Sequence, residues 1–222
     1  LRQAFAELAN VTADEIALTH HTTDGMNIVA HGLDWQPGDE VVTTNLEHPG
    51  GLLPLYVLRQ RRGVVVKIVE LPPELTPAQI VDRFEAAITP RTRLLAFSHV
   101  AWSTGMRLPL AKIVSMAHRH QVLCAVDAAQ SAGAIPLNLA GSGVDFYAMP
   151  AQKWLCGPEG VGALYVRRDL WSVLNPTFVG YPSMGDEGIF NLSGYFMPAP
   201  NARRYEVGTV YRASIGAMVA NL

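Results

Sequence analysis

Cysteine is scarce in this chain: its 222 residues contain two, Cys124 inside an apolar run and Cys156 just before Gly157. Two such residues form neither a disulfide framework nor a zinc-ligand spacing, which excludes a disulfide-held scaffold and fits a reducing, cytoplasmic setting. An excess of either charge is also lacking. Seventeen Lys and Arg stand against nineteen Asp and Glu, a formal charge of −2 with no run of one sign, so no polyanion is recruited and nucleic acid is not an expected partner. No uninterrupted apolar stretch approaches the roughly 18 residues of a membrane span, and LRQAFAELAN lacks the basic, apolar, small-residue order of a secretory leader. A soluble protein with no membrane partner is expected. His20, His21, His118 and His120 share no ligand spacing, and no metal site is expected. Repeats and low-complexity tracts are absent as well.

What is present is apolar material, 49% of the residues, enough for one large domain with a substantial core. Short β-rich runs at 16–19, 40–44, 64–69, 93–98, 122–127, 144–148 and 162–166 alternate with segments of helical period. That alternation predicts an α/β domain, a mainly parallel seven-stranded sheet with helices on both faces. Met26, Val29, Ala30 and Leu33 keep one helical face, as do Leu110, Ile113, Val114 and Ala117, and Thr76-Pro77-Ala78-Gln79 reads as a capping box with proline in the first turn. The last strand follows its predecessor through a Gly/Pro-containing loop with no clear crossover helix, so one antiparallel strand, at an edge, is expected there. Residues 175–206 turn to glycine, proline, serine and aromatics without period, a long irregular stretch of the functional or interfacial kind. The chain begins without methionine and stops just as ASIGAMVANL starts a helix, which suggests a piece of a longer polypeptide.

In a parallel sheet, ligands sit beyond the carboxyl ends of the strands, and polar residues cluster there: Thr22 and Thr23, His48, His99 to Ser103, Asp127 with Gln130, and Lys153. HHTTDGMNIVAHGL sets two threonines before a helix carrying Gly25, where hydroxyls and free N–H groups favour a phosphate; a simple helix cap is the plain alternative. Asp127, closing LCAVDAAQ, needs a cation or donors if buried, or else caps the following turn. Lys153 in AMPAQKWLCGPEGVGALYV would, judged alone, be an exposed loop lysine. An aspartate at one strand end and a lysine in the turn after the next strand together suit pyridoxal phosphate (PLP), the lysine as Schiff base and the acid on the pyridinium nitrogen. Trp154 and Leu155 would wall that lysine. His48, in NLEHPGG, would stack on the ring or be held by the backbone at its turn. Cys156 reads as a small packed side chain rather than a nucleophile.

With these motifs the chain resembles fold-type I PLP enzymes of the class V aminotransferase superfamily, in the branch of cysteine desulfurases and isopenicillin N epimerase-like proteins. GMNIVAHGLDWQPGDEVV, LEHPGG, SHVAWSTGMRLPL, DAAQSAGAIPL, KWLCGPEGVGALYV, NPTFVGY and RYEVGT are most similar to the L-cysteine/L-cystine C–S lyases, and Trp102 stands where desulfurases typically carry asparagine. The resemblance implies that residues 1–222 form the PLP-binding large domain of a three-layer αβα fold, with an N-terminal arm and a small C-terminal domain lying outside them. That outer part would hold the substrate-carboxylate arginine and, in desulfurases, the nucleophilic cysteine. It further implies Lys153 as the Schiff-base lysine, Asp127 at the pyridine nitrogen, His48 on the ring, Ala129 beneath it and Gln130 at the phenolate oxygen. Thr22 and Thr23 would bind the phosphate, and Thr209 would reach the phosphate of a neighbouring subunit in a homodimer with shared sites. The family's Ser/Thr-Gly-His-Lys appears here as Pro150-Ala151-Gln152-Lys153: Pro150 has no donor, and Gln152 donates without a charge, which predicts weaker phosphate binding.

The expected activity is β-elimination from L-cystine or L-cysteine, giving pyruvate, ammonia and a persulfide or sulfide. Cysteine desulfuration, aminotransfer or epimerisation would use the same residues, and a non-catalytic assembly domain would keep only the fold.

Overall fold

Strand segments of this chain are apolar at nearly every position rather than at alternate ones, the pattern of a sheet covered on both faces. The computed structural model describes residues 1–185, 188–208 and 212–221. Seven strands, β1 (Ile16–Thr19), β2 (Glu40–Thr44), β3 (Val65–Val69), β4 (Thr92–Ser98), β5 (Leu123–Asp127), β6 (Phe146–Pro150) and β7 (Gly162–Val166), form one sheet in the order β1-β7-β6-β5-β4-β2-β3. All pairings are parallel except those of β7, which runs antiparallel to both β1 and β6. The antiparallel strand is therefore real but interior, a correction to the expected edge. The antiparallel turn from β6 brings the chain straight back beside it, and β1 then closes β7's outer side.

The helices are α1 (Arg2–Ala9), α2 (Thr22–Gly32), α3 (Pro49–Arg62), α4 (Pro77–Ala87), α5 (Leu110–Arg119), α6 (Leu139–Ser142) and α7 (Arg212–Asn221). Side chains alternate between two cores. Leu94, Ala96, Ala125, Phe146, Ala148 and Leu164 pack with Met26, Val29 and Ala30 of α2 and Leu55 and Leu58 of α3. Leu95, Phe97, Cys124, Val126, Tyr147 and Met149 pack on the opposite face with Phe5 of α1, Phe84 of α4, and Ile113 and Val114 of α5. Period two therefore decides which polar strand-end residues meet. Ser98 and Asp127 share the α2/α3 face, and His99 lies on the other.

Local signals explain most helix ends. Thr76 and Gln79 form the expected capping box before Pro77. Helix α2 begins one turn earlier than its apolar face suggested: Thr22 and Thr23 lie inside its first turn, and His21 is the N-cap, its Nδ1 accepting from Asp24 N at 3.3 Å. The simple-cap alternative for the two threonines is thereby taken by their neighbour. Helix α3 was not legible in the sequence, since Gly50, Gly51 and an interior Pro54 dilute its helical signal; packing of Leu55 and Leu58 overrides that low propensity.

Candidate active site

Strand order changes direction between β2 and β4, and the carboxyl ends there, with β5 and β6 alongside, form the crevice in which an open α/β sheet binds ligands. Asp127 ends β5 and is buried at 5% exposure. Its Oδ1 accepts from Ala129 N at 2.8 Å, so the capping alternative holds for that oxygen. Oδ2 accepts no hydrogen bond among the described residues, and it faces Gly51, where a Cβ would stand 3.4 Å away. Burial raises the Asp127 pKa, while the Ala129 N–H, the Lys153 ammonium and His48 pull it back. A buried carboxyl left with a free oxygen favours a cationic or N–H partner there.

Lys153 is exposed on the turn after β6, which Gly157 N closes onto Ala151 O and Cys156 N onto Lys153 O, each at 2.9 Å. Of the two expected walls, Leu155 is buried and Trp154 turns outward at 56% exposure, its Nε1 donating to Gln130 Oε1 at 2.8 Å. Gln152 is exposed, and Cys156 is exposed rather than packed, with φ at 52°.

His48 caps α3: its Nδ1 accepts from Gly50 N at 3.0 Å, and its ring meets Trp102 edge-on at 5.4 Å. That bond leaves the neutral ring protonated at Nε2 and its orientation set. Gly50 is required by a close approach, because a Cβ there would lie 2.5 Å from Thr23 Oγ1 and 3.1 Å from His48 Nδ1. Thr22 Oγ1 is buried without a hydrogen-bond partner among the described residues. Asp24 is drawn away to His20, its Oδ2 accepting from the backbone N at 3.0 Å, so its charge is held off the two threonines. The orphaned Thr22 hydroxyl at the start of α2 and the side-chain-free approach at Gly50 beside Thr23 fit a bound phosphate group.

One further placement differs from expectation, and one residue went unread. His99 is buried with its Nδ1 2.8 Å from Tyr147 Oη, which in turn lies 2.7 Å from Ser131 Oγ. Burial and nearby Arg107 lower its pKa to about 4, and it lines a separate cavity of about 540 Å³ with Arg107 and Asn138. Thr209 lies outside the described residues. Unread was Glu47, which accepts from Thr44 Oγ1 at 2.5 Å and Ser98 Oγ at 2.7 Å and so ties the ends of β2 and β4 together at the switch point. Burial raises its pKa to about 7 despite those hydroxyls, with Asp127 adding to the rise. Its signal was an acid directly before the site histidine in NLEHPGG.

A family model, Aminotransferase class-V, matches residues 1–222. The chain belongs to the class-V aminotransferase family. Within that family it is 34% identical over 212 residues to a probable cysteine desulfurase of Methanothermobacter thermautotrophicus, covering 87% of this chain and 52% of the relative. It is 35% identical over 186 residues to isopenicillin N epimerase of Amycolatopsis lactamdurans, covering 81% and 46%. Among solved structures, the cystine C–S lyase C-DES in complex with its reaction product cysteine persulfide superposes with a TM-score of 0.91 at 36% identity, over 99% of this chain and 58% of that one. Another C-DES structure holds glycine covalently linked to the PLP cofactor. The chain spans about half the length of the relatives described here.

Proposed function

We propose that this class-V aminotransferase chain is the cofactor-binding large domain of a PLP-dependent C–S lyase that releases a persulfide from L-cystine, or sulfide from L-cysteine, with pyruvate and ammonia. The observation that carries the reading is buried Asp127, with an unpartnered Oδ2, within electrostatic reach of Lys153. When bound, PLP would withdraw electron density from the substrate α-carbon, making its proton removable and its β-sulfur a leaving group. Asp127 Oδ2 would hold the proton on the pyridine nitrogen, and His48, oriented by Gly50 N, would lie against the ring. Ala129, whose N–H steadies Asp127, would pass beneath that ring, and Gln130 would donate to the phenolate oxygen. Thr22, Thr23 and Gln152 would hold the phosphate. Lys153 Nζ would carry the cofactor at rest and, once displaced by the substrate amine, take the α-proton. Cystine is the favoured substrate because a persulfide anion leaves more readily than a simple thiolate, and C-DES, with that product bound, supports the reading.

The names of the curated relatives favour a second reading, cysteine desulfuration, in which a cysteine outside these residues takes the sulfur and alanine is released. The polypeptide containing this chain, loaded with PLP and given L-cystine, should form pyruvate and cysteine persulfide in equal amounts. Alanine with enzyme-bound sulfane sulfur, formed from L-cysteine, would establish the second reading instead. No pyruvate from either amino acid would overturn the lyase assignment.

A further inference from the structure

Trp154 is large, aromatic and more than half exposed, yet its only polar atom is committed to one partner: Nε1 donates to Gln130 Oε1 at 2.8 Å. The same two segments touch a second time. Gly133, at φ +87°, runs so close beneath the turn that a Cβ would lie 2.7 Å from both the carbonyl carbon and oxygen of Trp154 and 2.8 Å from Leu155 N. The loop after β5, which follows Asp127 and carries Ala129 and Gln130, is thus cross-braced to the turn after β6, which carries Lys153.

We propose that Trp154 is a positioning residue that fixes which end of the Gln130 amide faces the cofactor. The inference rests on the reading of Gln130 as the neighbour of the PLP phenolate oxygen. A glutamine amide has a donor end and an acceptor end of nearly the same shape, and a free side chain presents either. An indole N–H can only donate, so only Oε1 can face it, and the NH₂ group is left on the opposite side. Towards a phenolate the NH₂ end attracts and the carbonyl end repels. Trp154 therefore selects the attractive orientation without touching the cofactor, and holds one flexible side chain ready for it.

Trp154→Phe keeps an aromatic ring and removes the donor. In the PLP-loaded protein, a hydrogen bond to the phenolate oxygen weakens its hold on the proton shared with the Schiff-base nitrogen, so losing that bond raises the pH at which the visible band changes. The midpoint should rise by about half a pH unit in Trp154→Phe, and at least as far in Gln130→Leu. Adding Trp154→Phe to Gln130→Leu should move it no further. An unchanged midpoint in Trp154→Phe, or an equal shift with and without Gln130, would overturn the proposal. Without cofactor, the Trp154 indole ¹⁵N–¹H resonance should shift in Gln130→Leu, and a resonance that stays put would refute the bond itself. A parent protein that never develops a visible band with PLP would instead sink the reading of Lys153, and the role of Trp154 with it.

Discussion

Asp127 and Glu47 show how burying a single carboxyl weighs on stability. Both carboxyls are raised above their ordinary pKa by burial. A raised carboxyl holds its proton more tightly in the folded chain than in the unfolded one, so folding loses stability as pH rises from the unfolded pKa through the folded one. For Glu47 that window runs from 4.5 to about 7. Glu47→Gln should therefore match the parent near pH 4 and exceed it at pH 8 by up to about 3 kcal/mol, read by urea unfolding at both values. Asp127→Asn should raise the melting temperature of the cofactor-free protein at pH 7, with the gain shrinking as pH falls towards 4. The same variant should lower turnover by about 100-fold or more, since the amide no longer offers a charge to the ring nitrogen. A variant both less stable and inactive would show that Asp127 is held by structural contacts instead. The sequence showed Asp127 because an acid closing an apolar strand is anomalous by itself; Glu47 beside His48 gave a weaker signal, and its burial between Thr44 and Ser98 is what marks it.

At the scale of elements, the site is made where turns meet. Residues on the loops after β2, β5 and β6 and on the first turn of α2 converge because their strands run parallel, and β7 is reached by a reversal that leaves the Lys153 turn at the same end. Gly133 is the contact most exposed to substitution. Gly133→Ala would place a Cβ against backbone atoms of Trp154 and Leu155, which cannot rotate away, at a φ that alanine disfavours. The expected cost is about 2 kcal/mol or more, with PLP binding weakened in parallel because both loops shift. Differential scanning calorimetry and a PLP titration of that variant check both effects; unchanged affinity would separate the brace from the site. Strands were legible to within about two residues, since apolar runs of this length between turn residues have few other uses. Helix α3 was not, because its prolines and glycines speak against a helix that tertiary packing nevertheless stabilises.

For the whole molecule, the segment after β7 carries an apolar surface that nothing within the described residues covers: Phe178 is 65% exposed, Tyr181 86%, Phe190 62% and Leu192 101%. Side chains of this kind exposed close together mark an interface. We propose that this surface faces a second copy of the chain, the homodimer that the family resemblance implies. Phe190→Ser with Leu192→Ser should shift the protein from dimer to monomer in sedimentation velocity, and an unchanged sedimentation coefficient would remove this surface from the interface. Helix α1 is also joined to this irregular segment: Arg2 Nη2 pairs with Glu206 Oε1 at 2.7 Å, and that same carboxylate oxygen accepts from Leu18 N at 2.9 Å. That link holds the irregular segment against β1.

The sequence by itself determined the α/β class, the strand boundaries, the family likeness and the candidate pairing of Asp127 with Lys153. These follow from local pattern and from residue types whose burial is costly unless a partner is supplied. Only the tertiary structure decided that β7 lies inside the sheet, that His99 faces the opposite core from Asp127, that Glu47 bridges β2 and β4, and that Trp154 reaches Gln130. Each of those depends on strand order, on which face an alternating side chain takes, or on a contact between turns far apart in the chain. Local sequence pattern does not encode such long-range placement; packing does.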